Sequence, residues 1–458
     1  MRTIICGAGQ VGYNIASYLA REKNDVTVID IKRELVSQVN EELDATGIVG
    51  QAADPDVLKL AGAEDADMII AVTHMDEVNM VACQVAHSLF NIPKKVARIR
   101  QKGFLDPAWA NLFSRAHMPI DVIISPEREV ALNILQRLKI PGTTEVISLL
   151  DGKAYCVSVV CEKNCPILNT PLGQLRTLFP DLKIKAVLIN RNGKWFMPDV
   201  NSQFFPDDEV TFIVSTEHLK RALEIFGHEE RESENILIIG GGNIGTQLSL
   251  AIHEAYNKIN LKIVESNLSK ARFLSEMFPK DIILHGDGLD KKILQEAGID
   301  QVETVIAVTN DDEVNILSAL IAREFGDPRT ITLVNKEVYS SLTPALHINA
   351  IVSPRIITAS TIMRHVRRGR VHAVHDLRGA QAELLEAHAS ESCRIINTPL
   401  ERLNLPEGIV VAMILRDNDV IVPTKNTIVK PDDLVVMFAT HDDIDYVEKL
   451  FSFKFDLV

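Results

Sequence analysis

Short apolar runs recur through the first part of the chain at Thr3–Cys6, Val26–Ile29, Ile48–Val49, Met68–Val72, Lys95–Arg98 and Val122–Ile124. They alternate with helical stretches, and strand–helix alternation of this kind predicts a parallel sheet covered on both faces. After Ser125-Pro126 the period changes: Val130, Ile134 and Leu138 form one apolar row of a helix, with Ala131 and Leu135 in the next. Ser125 is placed to cap this helix, Pro126 suits its first turn, and Pro141-Gly142 ends it. Its own sheet covers the row only part of the way round, so the row predicts a self-association face. A second helix of this type runs from Pro354 to about Arg368, with Ile362 and Val366 four apart. Between and after these helices lie shorter strand-rich stretches. The first has strands at Tyr155–Val160, Ile184–Asn190 and Glu209–Val214, a turn at Asn192-Gly193 and a closing helix near His218–Phe226. Gly227–Glu234, rich in Glu and Arg, reads as an exposed linker.

The pattern occurs twice. Ile4-Ile5-Cys6-Gly7-Ala8-Gly9-Gln10-Val11-Gly12 returns as Leu237-Ile238-Ile239-Gly240-Gly241-Gly242-Asn243-Ile244-Gly245. Ala71-Val72-Thr73-His74-Met75-Asp76-Glu77-Val78-Asn79 returns as Ala307-Val308-Thr309-Asn310-Asp311-Asp312-Glu313-Val314-Asn315. Ile124-Ser125-Pro126 matches Val352-Ser353-Pro354, Asn169-Thr170-Pro171-Leu172 returns unchanged at 397–400, and Pro206-Asp207-Asp208 returns as Pro431-Asp432-Asp433. Order and spacing persist over almost the whole chain, which identifies an internal duplication. The expected fold is α/β: two tandem Rossmann-like parallel-sheet domains, each followed by a crossover helix and a small α/β module. The boundaries are 1–124, 125–142 and 143–227 for the first half, and 234–352, 353–369 and 370–453 for the second.

Composition narrows the classes. The 458 residues carry 48 Lys plus Arg against 62 Asp plus Glu, a formal net charge of −14, and 46% are hydrophobic. An acidic balance argues against nucleic acid, whose binders rely on cationic contacts to phosphate. No apolar run approaches the ~20 residues of a spanning helix. The N-terminus passes from Met1-Arg2 directly into the glycine-rich turn, without a signal peptide's apolar stretch. Six cysteines in so long a chain make no disulfide framework. The expected location is the cytoplasm, with any membrane attachment through a partner.

Gly7-x-Gly9-x-x-Gly12 follows a strand and opens a helix, the context in which this pattern binds dinucleotides. The first glycine permits the tight turn, the second lets backbone approach a pyrophosphate, and the third lets helix and strand pack. The helix N-terminus offers unpaired N–H groups to the phosphates. Asp30 ends the second strand, where a carboxylate accepts hydrogen bonds from ribose hydroxyls and selects NAD over NADP. Gly240, Gly242, Gly245 and Glu265 repeat the device; a turn without ligand is the alternative in each half. Thr73 and Thr309 end the fourth strands, on the ligand-binding edge of such a sheet, and read either as cofactor contacts or as part of a helix cap. Asp76 reads as a cap. Arg98 reaches a phosphate from the same edge, whereas Thr332-Leu333-Val334-Asn335-Lys336 has no arginine, so the two sites are expected to bind differently.

A dehydrogenase needs a proton donor or acceptor and an anchoring cation beside the nicotinamide. Here His74 stands without a second catalytic group and has Asn310 as its counterpart. Cys156, Cys161 and Cys165, with Cys393 in the second small module, have irregular spacing and read as buried packing rather than a metal site. Arg364, His365, Arg367, Arg368, Arg370 and His372 form one basic cluster, read as a solvated crossover helix or a contact for a phosphate, headgroup or acidic partner. The rival reading is an NAD-dependent oxidoreductase acting on a small metabolite.

The ordered duplication of glycine turn, Asp30, Thr73–Asn79, Ser125-Pro126 and Asn169–Leu172 resembles the RCK (KTN) regulators of potassium channels and transporters. Its tandem form is similar to the cytoplasmic regulatory subunits of Trk-type potassium uptake systems. The resemblance covers nearly the whole chain. It implies a non-enzymatic gating subunit, a homotetrameric ring of eight sheet domains docked on a membrane-embedded potassium transporter. NAD(H) is the implied cofactor, and some members respond to ATP and ADP. On that resemblance Gly7, Ala8, Gly9, Gln10, Val11, Asp30, Thr73, His74 and Arg98 map to the first nucleotide site. Gly240, Gly241, Gly242, Asn243, Ile244, Glu265 and Thr309 map to the second.

Overall fold

The computed structural model describes residues 1–21, 24–340, 346, 348–366, 371–377 and 382–451. Arg367, Arg368 and Arg370 of the basic cluster, and the expected helix end near Arg368, lie outside these residues. Two compact units divide the chain, Met1–Val130 with Ser353–Val366 and Ala131–Val352 with Arg367–Val458.

In the first unit the apolar runs form strands β1 (Arg2–Cys6), β2 (Asp25–Asp30), β3 (Thr46–Val49), β4 (Met68–Ala71), β5 (Lys94–Arg98) and β6 (Val122–Ile124). They pair in parallel in the order β3-β2-β1-β4-β5-β6. Successive side chains of a strand point to opposite faces. Ile4, Ile69 and Ala97 therefore pack under Met80 and Cys83 of the helix Asp76–Phe90. Ile5, Ile70 and Val96 meet Ile15, Ala16 and Leu19 of the helix Gln10–Arg21. That second face is completed by the late helix Pro354–Val366, which lies along Gln10–Arg21 and β6 and buries Ile362 in this core. The crossover helix of the second half thus packs on the sheet of the first.

The second unit begins with an antiparallel sheet of β7 (Thr143–Leu149), β8 (Ala154–Val160), β9 (Ile184–Arg191), β10 (Lys194–Phe196) and β11 (Glu209–Ser215), in the order β10-β9-β11-β8-β7. The edge strands β7 and β10 add to the three strands expected from the pattern. A parallel sheet follows from β12 (Asn235–Ile239), β13 (Asn260–Glu265), β14 (Ile282–His285), β15 (Thr304–Ala307), β16 (Arg329–Leu333) and β17 (Ala350–Val352), ordered β14-β13-β12-β15-β16-β17. Last come β18 (Val371–Asp376), β19 (Ala382–His388), β20 (Ile409–Arg416), β21 (Asp419–Ile421) and β22 (Leu434–Thr440), whose order β18-β19-β22-β20-β21 repeats that of the first antiparallel sheet. The fold is α/β with two tandem Rossmann-like sheets, and strand order itself is duplicated.

The two antiparallel sheets share one core. Leu149, Val187 and Ile213 of the first pack with Leu384, Met413 and Phe438 of the second. The Leu150 N–H donates to the Glu386 carboxylate at 2.7 Å across this contact.

The helix Pro126–Lys139 corrects an expectation. Val130, Ile134 and Leu138 are 0%, 0% and 2% exposed, so the row is buried within one chain and leaves no free face for self-association. Its end is bolted to the second parallel sheet. The buried Arg137 guanidinium donates to Ile351 O of β17 and to Thr144 O, both at 2.8 Å, and to the Glu145 carboxylate at 2.8 Å. Arg329 of β16 in turn donates to Arg137 O at 2.8 Å. The linker is exposed at 229–232 and at Glu234 as expected, but His228 within it is buried, its Nε2 donating to Val160 O and its Nδ1 hydrogen-bonded to the Glu230 carboxylate, each at 3.0 Å.

Candidate functional site

The strand order reverses between β1 and β4, and in open α/β sheets this switch point at the strands' carboxyl ends is the ligand crevice. Gly7 stands there with φ +107°, and a Cβ on it would meet Thr73 N at 3.0 Å. Gly12 has no room at all, since a Cβ would fall 1.8 Å from Gly7 O. These two glycines are demanded by the fold. Gly9 is different: its φ is not positive, and a Cβ there would meet nothing within 4 Å. The open cradle lies over the start of the helix Gln10–Arg21, where Gly9 and Gln10 are exposed and Val11 is half-buried.

Asp30 faces the same turn. Its carboxylate accepts the Ala8 N–H at 2.7 Å and the Lys32 N–H at 2.8 Å. One oxygen is thereby tied to the turn and the other to the chain leaving β2. Each carboxylate oxygen keeps a lone pair, so the group holds the loop and can still accept a hydroxyl.

Across the crevice, Thr73 is held by Asn79, whose side chain is fully buried. Asn79 Oδ1 accepts the Thr73 N–H at 2.9 Å and the Thr73 hydroxyl at 2.7 Å, while its Nδ2 donates to Thr73 O at 3.2 Å and Arg98 O at 2.9 Å. One amide thus fixes the ends of β4 and β5 together. Asp76, expected as a helix cap, instead accepts the Arg100 and Gln101 N–H groups, both at 2.8 Å, and is 3% exposed. A capping carboxylate would face its own helix; this one ties down the loop after β5. His74 is exposed on the crevice rim, and its carbonyl accepts from the Arg100 guanidinium. Arg98 reaches the edge, but its Nη2 is paired with Glu127 at 3.1 Å. Arg98 Nε and Glu127 Oε2 are both buried without a hydrogen-bond partner.

The second crevice repeats the frame with altered chemistry. Gly240 has φ +106°, Gly245 would place a Cβ 2.1 Å from Gly240 O, and Gly242 again opens on empty space. Asn315 holds Thr309 as Asn79 holds Thr73, with Oδ1 contacts of 2.8 and 2.7 Å and Nδ2 donation to Leu333 O at 3.0 Å. Asp312 likewise accepts the Asn335 and Lys336 N–H groups. Glu265 is 7% exposed and folds back on the turn, accepting from Gly241 N–H and Asn267 N–H at 2.8 Å. Gly241 stands where the first half has Ala8, and a Cβ on it would meet the Leu274 methyl at 2.3 Å unless that side chain shifted. Asn243 is exposed and Ile244 half-buried at the helix start. Where Arg98 is missing, Leu333 stands in β16, and Lys336 follows three positions on. It pairs with Glu313 at 2.8 Å. Lys336 first, and Tyr339 second, hold the Glu313 carboxyl well below the usual range.

The structure therefore gathers the predicted residues of each half at one sheet edge, and it adds Asn79, Asp76, Asn315 and Asp312 as the residues that shape that edge. The signal for them was the Asp-Glu-Val-Asn string common to both halves. Elsewhere, the six cysteines are buried and none is in a disulfide. Among the described residues, no group of three His, Cys, Asp or Glu is placed to hold a metal ion.

Comparison with known proteins gives the family. Residues 3–126 and 236–354 match the TrkA-N domain model and residues 384–452 the TrkA-C domain model. The chain belongs to the TrkA family. A TrkA-family relative from Azorhizobium caulinodans, named Trk system potassium uptake protein TrkA, is 45% identical over 98% of both chains. One of the same name from Halomonas elongata is 36% identical over 99% of both. Among solved structures the GsuK RCK domain has the same fold, with a TM-score of 0.61 at 18% identity over 98% of this chain and 94% of that one. The family match spans both glycine turns, both Thr-to-Asn strings and the second antiparallel module. Among the described residues no helix of this TrkA-family chain is long and apolar enough to cross a membrane.

Proposed function

We propose that this TrkA-family chain is the nucleotide-sensing regulatory subunit of a Trk-type potassium uptake system. The observation that carries the nucleotide reading is the open Gly9 and Gly242, between glycines that the fold requires on both sides. Among the described residues no atom would meet a Cβ at these two positions, whereas a pyrophosphate lying on the helix N-terminus needs a bare backbone there. The potassium reading rests on the names of the two relatives. A structure of the GsuK channel bound to NAD, with a TM-score of 0.61 at 16% identity over 98% of this chain and 78% of that one, supports NAD(H) as ligand on this fold.

In this reading residues 1–124 and 234–352 are the nucleotide-binding domains, and 143–227 and 370–453 the small modules that follow the crossover helices. Gly7, Ala8, Gly9, Gln10, Val11 and Gly12 hold the pyrophosphate of NAD(H), Asp30 its ribose, and Thr73, His74 and Arg98 line the opposite wall. Gly240, Gly241, Gly242, Asn243, Ile244, Gly245, Glu265 and Thr309 form a second site, which lacks the first site's arginine; ATP and ADP are further candidate ligands of the chain. The chain works as a homotetramer on the cytoplasmic face of a membrane-embedded transporter. Bound nucleotide shifts the arrangement of the subunits only as far as it prefers one arrangement, about 1.4 kcal/mol per site for a tenfold preference.

The test is potassium flux in vesicles carrying the transporter, with NADH, NADPH, ATP and ADP added in turn and their binding measured by calorimetry. Flux that depends on which nucleotide is present is expected. Indifference to all four at saturation sinks the gating reading, and turnover of NADH against carbonyl compounds would replace it with an oxidoreductase. Selectivity has its own check. NADPH should bind at least about tenfold more weakly than NADH, and Asp30→Ser should weaken NADH and narrow that gap, because a carboxylate repels the 2′-phosphate. Equal affinities in the unaltered chain would remove Asp30 from this role.

A further inference from the structure

The two crevices share a backbone and differ in side chains on their rims. After β4, the Met75 N–H donates to Thr73 Oγ1 at 3.3 Å, and the Met75 carbonyl accepts the Asn79 N–H at 3.1 Å. After β15, Asp311 takes the place of Met75, with bonds of 3.2 Å to Thr309 Oγ1 and 3.0 Å from the Asn315 N–H. The dihedral angles agree as well, φ −112° and ψ 120° for Met75 against −114° and 114° for Asp311. Each stands at the capping position of the next helix, Asp76–Phe90 in one half and Asp312–Arg323 in the other. Only Asp311 caps. Its carboxylate accepts the Val314 N–H at 2.9 Å, whereas Met75 makes no side-chain bond to its helix. Side-chain acceptors are strongly preferred here because the first N–H groups of a helix have no partner within it.

The other wall repeats the exchange. Lys32 stands at the cap of the helix Arg33–Glu42 without a side-chain bond, where Asn267 caps Leu268–Met277 through the Lys270 N–H at 3.0 Å. The residue before the cap, next to the acid that ends the strand, is Ile31 in the first half and Ser266 in the second.

Ile31 is 60% exposed and Met75 45%. β1, which leads into the glycine turn, pairs with β2 on one side and β4 on the other, so Ile31 and Met75 follow the two strands that flank the turn. A single exposed apolar side chain is ordinary. Here two of them coincide with two forgone caps on one crevice, and the matching positions of the copy show neither. Local rules of this kind are broken where a side chain is kept for a ligand.

Resting on the nucleotide reading, we propose that Met75 and Ile31 are specificity-determining residues of the first crevice, apolar contacts for the adenine ring of the bound nucleotide. A ribose held at Asp30 carries its base on the carbon next to its hydroxyls, which brings the ring to the residue that follows Asp30. The two faces of a purine are apolar and its polar atoms lie on the edge. A thioether side chain is polarisable and adapts its shape to such a face. Ser266 and Asp311 offer no apolar surface at the second crevice, so an adenine nucleotide gains less from its base there.

The experiment uses the full-length chain carrying Gly242→Leu, so that calorimetry reads the first crevice, with NADH and with ADP-ribose, which lacks the nicotinamide. Met75→Asn supplies a cap without adding charge. It should raise the melting temperature by about 2–4 °C and weaken both ligands at least about tenfold. Weaker binding together with a higher melting temperature is an outcome that a packing role for Met75 does not give. Met75→Leu keeps an apolar side chain and should bind both ligands within about threefold of the parent. Ile31→Ser, which copies Ser266, should weaken both and leave the melt unchanged. Parent affinities in Met75→Asn and Ile31→Ser overturn the proposal. A loss confined to NADH puts Met75 beside the nicotinamide and overturns the adenine assignment. A parent chain that binds neither ligand ends the nucleotide reading itself, so the two failures are told apart.

Discussion

A Gly9→Leu chain is expected to melt as the unaltered chain does and to lose NADH binding at its first site by at least about 100-fold, roughly 2.7 kcal/mol. The separation of the two effects follows from the backbone. Gly9 does not have the positive φ that disfavours side chains, and a Cβ there meets no atom within 4 Å, so a side chain can leave the backbone without strain. The same space opens at the start of the helix Gln10–Arg21, beside its N–H groups, and a leucine occupies it. Gly12→Ala should do the reverse: its Cβ would lie 1.8 Å from Gly7 O, so the turn must open before any ligand is considered. Calorimetry beside a thermal melt reads both. Gly242→Leu is the matching change in the second half and should leave first-site binding intact. Wild-type NADH affinity in Gly9→Leu and Gly242→Leu together would end the assignment of the glycine turns as nucleotide sites. In transporter vesicles, Gly9→Leu should remove the part of the flux response that the first site contributes.

The second large effect is on stability. Ile134→Asp places a carboxylate where the side chain is fully buried, and an unpaired buried charge costs about 3–5 kcal/mol. For a unit of this size that corresponds to a fall in melting temperature of about 10 °C. Leu132→Asp on the same helix is the control, because Leu132 is 38% exposed and should tolerate the change to within about 0.5 kcal/mol. Had the row been an open association face, Ile134→Asp would lower the assembly mass and leave the melt unchanged. A chain with that behaviour would show that the helix is not seated as described.

Much of the site could be read from residue order because its requirements are local. A strand, a turn that needs positive φ at Gly7, and a helix needing close packing at Gly12 are all specified within the first dozen positions, and the copy at Gly240–Gly245 confirms the pattern internally. Asp30 was legible for the same reason, as the last residue of β2 in a known register with β1. The uses of Asp76 and Asn79 were not. Both types are good cap residues, and only the pairing of β5 beside β4 brings the Arg100 and Gln101 N–H groups to Asp76 and the Arg98 carbonyl to Asn79. Glu265 shows the same limit from the other side. It accepts from Gly241 and Asn267 as Asp30 accepts from Ala8 and Lys32, but its burial, at 7% exposure, was not legible from its likeness to the half-buried Asp30.

By itself, the sequence determined the α/β class, the duplication and the two glycine turns, since hydrophobic period and turn chemistry act over short stretches of chain. Tertiary structure alone decided where the crossover helices go. The row of Val130, Ile134 and Leu138 says that a face must be covered but not by what. Burial is indifferent to whether the covering atoms come from the same half, the other half or another molecule. The directional contacts made the choice: Arg137 on Ile351 O, and Arg329 on Arg137 O, are hydrogen bonds between groups about two hundred positions apart, and no local pattern encodes them.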